Sequence, residues 1–282
     1  MTQPRSVAEK IVQATGDLPT MPHVANLVME KLSDPNATAR DLHKIISQDQ
    51  ALAARVLKIA NSPFYGCART VTNLTDALVV MGFDSIRSLV VASAMQDFFK
   101  RFGLAEKLLW EHSIACGGIA KRVAKRVKYS KIEEAFLAGL LHDIGKVVLN
   151  LKMPDQMLQI VQDVYNDSIH TFIEIEERTF NFNHAQVGML IARKWNFTDT
   201  IEEAIGYHHY PEKAKILPVL SYIISLSNSL CHKLEIGPTR NPDLNVSELR
   251  STKALKITPE SVEELLADAE EVVKSQEGGL GQ

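Results

Sequence analysis

Residues 135–149 read AFLAGLLHDIGKVVL, an apolar run interrupted only by His142, Asp143 and Lys146. Taking three polar groups out of water costs free energy unless a partner meets them, and a metal ion or a phosphate is a common partner. The run therefore either holds something or closes a tight internal polar network. Candidate partners flank it: His112 upstream, then His184 and the adjacent pair His208 and His209 downstream.

Each histidine can be tested against its own helix, at about 100° per residue. His112 falls on one face with Ile119 and Val123, while Lys121, Lys125 and Lys128 fall opposite. His184 shares a face with Val187, Gly188, Ile191 and Trp195, and His208 with Ile201 and Ile205. One histidine on an apolar face is usually a satisfied core residue. Three such faces, plus a His142-Asp143 pair expected within one helix, point to a common site. Imidazoles with one carboxylate favour Fe, Mn, Zn, Ni or Co over calcium, and such a site can activate water. Lys146 is expected on the same side of its helix as the pair, placed either to meet a phosphate oxygen or to snorkel from a buried helix end.

The composition is that of a soluble globular chain. It has 282 residues, 45% hydrophobic and 23% charged, with 31 Lys plus Arg against 34 Asp plus Glu. The net charge of -3 offers no general attraction to nucleic acid or anionic membrane. Cys67, Cys116 and Cys231 are odd in number and lack a CxxC pair, which fits reduced thiols in a cytoplasm. The N-terminus lacks an apolar leader, and no uninterrupted apolar stretch approaches the ~20 residues of a membrane span. A cytoplasmic protein without membrane contact is expected. The basic cluster Lys121, Arg122, Lys125, Arg126, Lys128 and Lys131 carries no interleaved aromatics, so a solvated helix face is favoured over nucleic-acid contact. No GxSxG elbow or phosphate loop is present.

Helical patterns run from end to end and strands are not evident. Asp34-Pro35-Asn36 before Thr38 reads as a turn into a helix start, Asn61-Ser62-Pro63 as a stop, Thr72 or Asn73 as a cap, and Gly82 as a C-terminal stop. The organisation expected is an N-terminal helical lobe over residues 1–104, with the boundary near residues 101–106. A second helical lobe over 105–236 carries the candidate site. Residues 237–282 form a loop, a peripheral acidic helix and a flexible tail. From residue 259 onward there are seven acidic residues against one lysine.

The spacing of His112, HDIGK at 142–146, His184 in NHAQVG and His208-His209 in YHHYPE resembles the metal-binding pattern of HD-superfamily phosphohydrolases, and closely that of HD-GYP phosphodiesterases. The first half, with LPTMPHVANLVMEKL, IISQDQALAARVLKIANSPFYG and DALVVMGFDSIRSLVVAS, resembles the HDOD domain of bacterial signalling proteins. This likeness spans residues 18–233. It implies an all-α, two-lobed helical domain whose C-terminal lobe has the HD arrangement. It also implies that His112, His142, Asp143, His184, His208 and His209 match metal-binding positions of the HD-GYP enzymes. The final aspartate of that pattern is replaced by Asn228, which removes one negative charge from the site, and the GYP signature is absent.

Two functions follow from the resemblance. The first is a signalling module acting through protein contacts, with a partner unspecified by the sequence, that holds a metal or a phosphate-bearing ligand. The second is a metal-dependent phosphohydrolase or phosphodiesterase acting on a nucleotide or other phosphate ester, with Asp143 and Lys146 as its catalytic pair.

Overall fold

The computed structural model describes residues 6–32, 34, 36–61, 70–99, 104–166 and 171–277. Pro35 of the expected turn, residues 62–66 of the NSPFYG segment, Cys67, residues 101–103 of the expected lobe boundary and residues 278–282 of the tail lie outside it. Every regular element among the described residues is helical.

The first group of helices is α2 (His23–Leu32), α3 (Ala39–Ile46) and α4 (Gln50–Ala60), packed around α5 (Leu74–Phe99). Local chemistry sets their ends. Thr38 and Asp41 form a reciprocal capping box at the start of α3, and the Asp49 carboxylate accepts the Leu52 N–H at the start of α4. The Asn73 side chain accepts the Asp76 N–H where α5 begins. Gly82, with φ 80° and ψ 167°, breaks the helix at the expected stop, but the chain resumes helical geometry at once. By length and composition Leu74–Gln96 could cross a membrane, although Asp84 and Arg87 interrupt its apolar run. In the fold 56% of its most apolar window is buried, and the helix packs between α2, α3, α4 and the helices of the second group.

The second group comprises α6 (Leu104–Arg126), α7 (Ile132–Leu141), α8 (Ile144–Lys152), α11 (His184–Lys194), α12 (Asp199–Tyr207) and α13 (Pro218–Lys233). The hairpin of α9 (Pro154–Asn166) and α10 (Phe172–Phe180) flanks α8, α14 (Arg250–Ala254) sits on α13, and α1 (Val7–Thr15) packs on α8 and α11. The acidic helix α15 (Pro259–Glu277) lies along α6, burying Val262, Leu265, Ala269 and Val272. Arg122 pairs with Glu271 at 3.5 Å and Arg126 with Glu264, so two cations of the basic cluster meet this helix. Lys121, expected to point into solvent, instead turns inward to Glu133 at 2.7 Å.

Two close approaches bring the site together. A Cβ on Gly139 would stand 2.8 Å from the Cα of Gly117, so α7 crosses α6 almost backbone to backbone. A Cβ on Gly145 would stand 1.9 Å from the carbonyl oxygen of His184, so α8 and α11 meet just where Asp143 and His184 begin them. Gly145→Ala must separate these helices, because the obstacle is backbone. Its expected cost is at least ~3 kcal/mol in chemical denaturation, at the upper end of overpacking penalties.

Glu203 of α12 organises the entry to α13. Its nearly buried carboxylate accepts the N–H groups of Lys215, Ile216 and Leu217, the last at 2.7 Å. Burial raises its pKa, but the three backbone donors outweigh that and hold it below its ordinary value of 4.5. A depressed carboxylate pKa contributes stability above the unfolded value and loses it as pH falls through the folded one. Glu203→Gln should therefore destabilise by about 1–3 kcal/mol at pH 7. The gap between parent and variant in urea melts should shrink as pH drops below 4.5.

Candidate metal centre

All six candidate ligands converge from four structural features. His112 lies within α6, His184 is the first residue of α11, and His208 and His209 follow the last turn of α12. His142 and Asp143 do not share a helix, contrary to the expectation from sequence. α7 ends at Leu141 and α8 starts at Ile144, so the pair forms the junction. Both still present donors to one point, because the turn rather than a helical face aims them.

Hydrogen bonds at Nδ1 place the proton on four of the five candidate rings. Nδ1 of His112 donates to the Ile236 carbonyl at 3.0 Å, Nδ1 of His142 to Gly139 at 2.7 Å, and Nδ1 of His208 to Ile205 at 2.7 Å. A carbonyl oxygen only accepts, so the proton of each neutral ring sits on Nδ1 and Nε2 carries a lone pair. Nδ1 of His184 is held likewise by a Glu176 carboxylate oxygen at 2.5 Å. The four Nε2 atoms then face one another and Asp143. Those of His112 and His142 are 3.3 Å apart, and those of His184 and His208 3.4 Å. Nε2 of His209 stands 3.0 Å from that of His184.

The Asp143 carboxylate lies between the two sets. Oδ2 is 3.7 Å from His112 Nε2 and 3.5 Å from His142 Nε2, whereas Oδ1 is 3.2 Å from His184 Nε2 and 3.8 Å from His208 Nε2. Oδ1 is buried without a hydrogen-bond partner. Apart from the Lys146 ammonium on Oδ2, the acceptors gathered here repel one another, and a cation relieves the repulsion. The donor set fits a divalent transition metal in two groups: His112, His142 and Asp143, and His184, His208 and His209.

Charge inside the cluster is uneven. Burial pushes the Asp143 carboxyl up, but Lys146, whose Nζ is 2.7 Å from Oδ2, and the surrounding imidazoles hold it well below the usual carboxylate range. Lys146 also lies over the Phe172 ring, 4.9 Å from its centre. Burial lowers the pKa of His112 and lowers those of His208 and His209 strongly, which keeps the neutral, ligating form. His184 goes the other way: burial disfavours its charge, yet the adjacent Glu176 carboxylate raises its pKa overall. The same carboxylate strengthens His184 as a donor.

Two contributors are not apparent from the sequence. Glu176 is fully buried on α10. Its one signal is an acidic residue three positions after Ile173 and four before Phe180, on an otherwise apolar face. His232 stacks on His112 with ring centres 5.6 Å apart, and burial pushes its pKa down to about 3. Its sequence neighbour Cys231 is the more conspicuous residue, but that thiol is simply buried. Asn228 is buried and lies within hydrogen-bonding range of His112.

The HDOD domain family matches residues 18–211 of this chain. An HDOD domain protein of unknown function from Geobacter sulfurreducens superposes with a TM-score of 0.84 at 29% identity, with 97% of each chain covered. A Shewanella amazonensis SB2B protein, provisionally named a phosphohydrolase, has the same fold at a TM-score of 0.74 and 23% identity, with 96% of each chain covered. An uncharacterized protein of Treponema pallidum (strain Nichols) is 24% identical over 227 residues, which are 79% of this chain and 44% of that protein. The chain thus spans less than half the length of this curated relative.

Replacing the carboxylate behind His184 tests its influence on metal affinity. Glu176→Gln should weaken transition-metal binding by about 10–100-fold in competition with a chromogenic chelator. The fold should survive, as read by circular dichroism.

Proposed function

The chain belongs to the HDOD domain family, and on that premise we propose that it is a bacterial signal-transduction module. It works in the cytoplasm through contacts with a signalling protein partner, and it holds a divalent transition metal (Fe, Mn, Zn, Ni or Co) in a structural role. The observation that carries this reading is closure. His142 and His184 have no exposed surface, and His112, Asp143 and His208 expose 1–2%. Structural metal sites are enclosed by their ligands, whereas catalytic ones keep a position open to water or substrate. Lys146 reinforces the point, because its ammonium already engages Asp143 and is itself nearly buried.

His112, His142, Asp143, His184, His208 and His209 are the ligands in this proposal. A bound metal would supply charge compensation for their converging lone pairs. The residues themselves do the mechanical work: they tie α6, the α7–α8 junction, α11 and α12 at one point. A second lobe made rigid in this way offers a fixed surface to the first lobe and to a partner. Buried reduced thiols at Cys116 and Cys231 accord with the cytoplasm.

The alternative is a metal-dependent phosphohydrolase acting on a nucleotide or other phosphate ester. Lys146 favours it, being a cation beside Asp143 that can neutralise a phosphate, and the provisional name of the Shewanella relative points the same way. In that case Asp143 and Lys146 are the catalytic pair and His209, the least buried of the candidate histidine ligands, marks the entry.

Protein purified without chelator should carry one to two equivalents of a transition metal, read by elemental analysis, and Asp143→Ala should carry none. Stripping the metal should lower the melting temperature by roughly 5–15 °C, the scale of a ligand present at a hundred- to a thousandfold its dissociation constant. A panel of phosphate esters with Mn or Fe should stay flat. Turnover abolished by Asp143→Ala would replace the signalling reading with the hydrolase.

A further inference from the structure

The chain leaving α13 folds back over the metal centre. Glu235 takes the left-handed conformation, φ 57°, just past the end of the helix. The N–H of Glu235 then turns back to the His232 carbonyl at 3.2 Å and that of Ile236 to the Cys231 carbonyl at 2.9 Å. This paired closure of a helix end fixes where the next carbonyl points. That carbonyl, of Ile236, is the one that meets Nδ1 of His112 at 3.0 Å. Further on, the Asn241 N–H donates to the His232 carbonyl at 2.9 Å, so residues 234–241 leave α13 and return to it.

Three contacts of this segment bear on a single ring. Ile236 holds the His112 proton. Gly237, at φ 97°, runs so close that a Cβ there would stand 2.7 Å from the Cβ of His112 and 2.9 Å from its Nδ1. Only a residue without a side chain allows that approach and that backbone conformation together. His232 stacks on the same imidazole with the planes 19° apart, yet it belongs to neither group of ligands. Pro238, Arg240 and Asn241 are exposed, so the inner side of the segment touches a buried ligand while its outer side faces solvent.

Resting on the metal-centre reading above, we propose that residues 232–241 are a strap coupled to metal occupancy. Closing the strap positions His112 as a ligand, and occupancy of the centre in turn holds the strap shut. His232 and Gly237 are positioning residues that act through His112. With Nε2 engaged by a cation the ring is polarised and its Nδ1–H becomes a stronger donor to Ile236. In the other direction, the Ile236 carbonyl makes Nε2 a better ligand. Coupling between two binding events is reciprocal, so the factor that the strap adds to metal affinity returns as closure of the strap. The state of a sealed centre is thereby expressed on the surface of the second lobe.

The test uses the full chain stripped of metal and titrated with Co(II) in competition with a chromogenic chelator. His232→Ala should weaken binding about tenfold or more, whereas His232→Phe, which keeps a flat ring to stack, should stay within about twofold of the parent. Gly237→Ala should weaken it by at least about tenfold and alter the visible Co(II) spectrum, because His112 must move. If Gly237→Ala fails to fold, as read by circular dichroism, the two His232 variants carry the test. In the parent, saturating Co(II) should slow amide exchange over residues 234–241 by about fivefold or more, with α3 unchanged as the control. Unchanged exchange in the strap, or parent-like affinity in His232→Ala, overturns the coupling and leaves the metal centre standing. Equal losses in His232→Ala and His232→Phe would make His232 a ligand and overturn its positioning role. A parent that binds no Co(II) overturns the strap and the metal reading together.

Discussion

The constraint on which this structure turns is electrostatic: lone pairs of imidazole nitrogens aimed at one another around a single carboxylate. Each ring is locked by its other nitrogen, three on backbone carbonyls and one on Glu176. None of the four can relieve the crowding by a simple tautomer exchange, because the proton would abandon a buried carbonyl or carboxylate. Backbone carbonyls at helix ends thus serve as the supports of the site. Gly139 and Ile205 each present a carbonyl to the histidine three residues later, so helix termination and ligand orientation are one event.

Packing follows from the same demand. Side chains can converge on Asp143 only if their helices approach closely, and glycine permits two backbone-to-backbone approaches, α6 with α7 and α8 with α11. The carboxylate of Glu203 then fixes the chain entering α13, the helix that presents Asn228 and His232 beside His112. The acidic helix α15 covers α6 from the other side, joining two of its cations to carboxylates. An element expected at the periphery by composition thus shields the back of the helix that carries His112.

Much of this is legible in the sequence, for a physical reason. Polar residues set among apolar ones are costly to bury, so the inward placement of His112, His142, Asp143, His184 and His208 stands out from helical phase and hydropathy alone. The all-helical class follows from periodicity, and the helix ends at Thr38, Asn61 and Asn73 from local chemistry. What periodicity misses is a break. Residues 135–149 are apolar enough to read as one helix, but the turn at His142-Asp143 has no glycine or proline to announce it. A helical wheel misplaces Lys121 because it knows nothing of Glu133 on the next helix. Glu176 is hidden because one acid among three in residues 174–177 looks like a solvated face; only its register with Ile173 and Phe180 sets it apart.

Asn228 gains its meaning from a count of charge. The centre and its immediate supports hold two carboxylates, Asp143 and Glu176, and one ammonium, Lys146, a net single negative charge with neutral imidazoles. One divalent cation brings the total to +1, and a second would bring it to +3 in a site nearly sealed from water. An aspartate at position 228 would lower each sum by one and favour a second ion. With an amide there, a first ion would be held more strongly than a second, since like charges repel most where the dielectric is low. The same ammonium that balances Asp143 also occupies the place from which a substrate phosphate would be neutralised. On the structural reading proposed above, a centre built this way would hold helices in position rather than turn over an anionic ester.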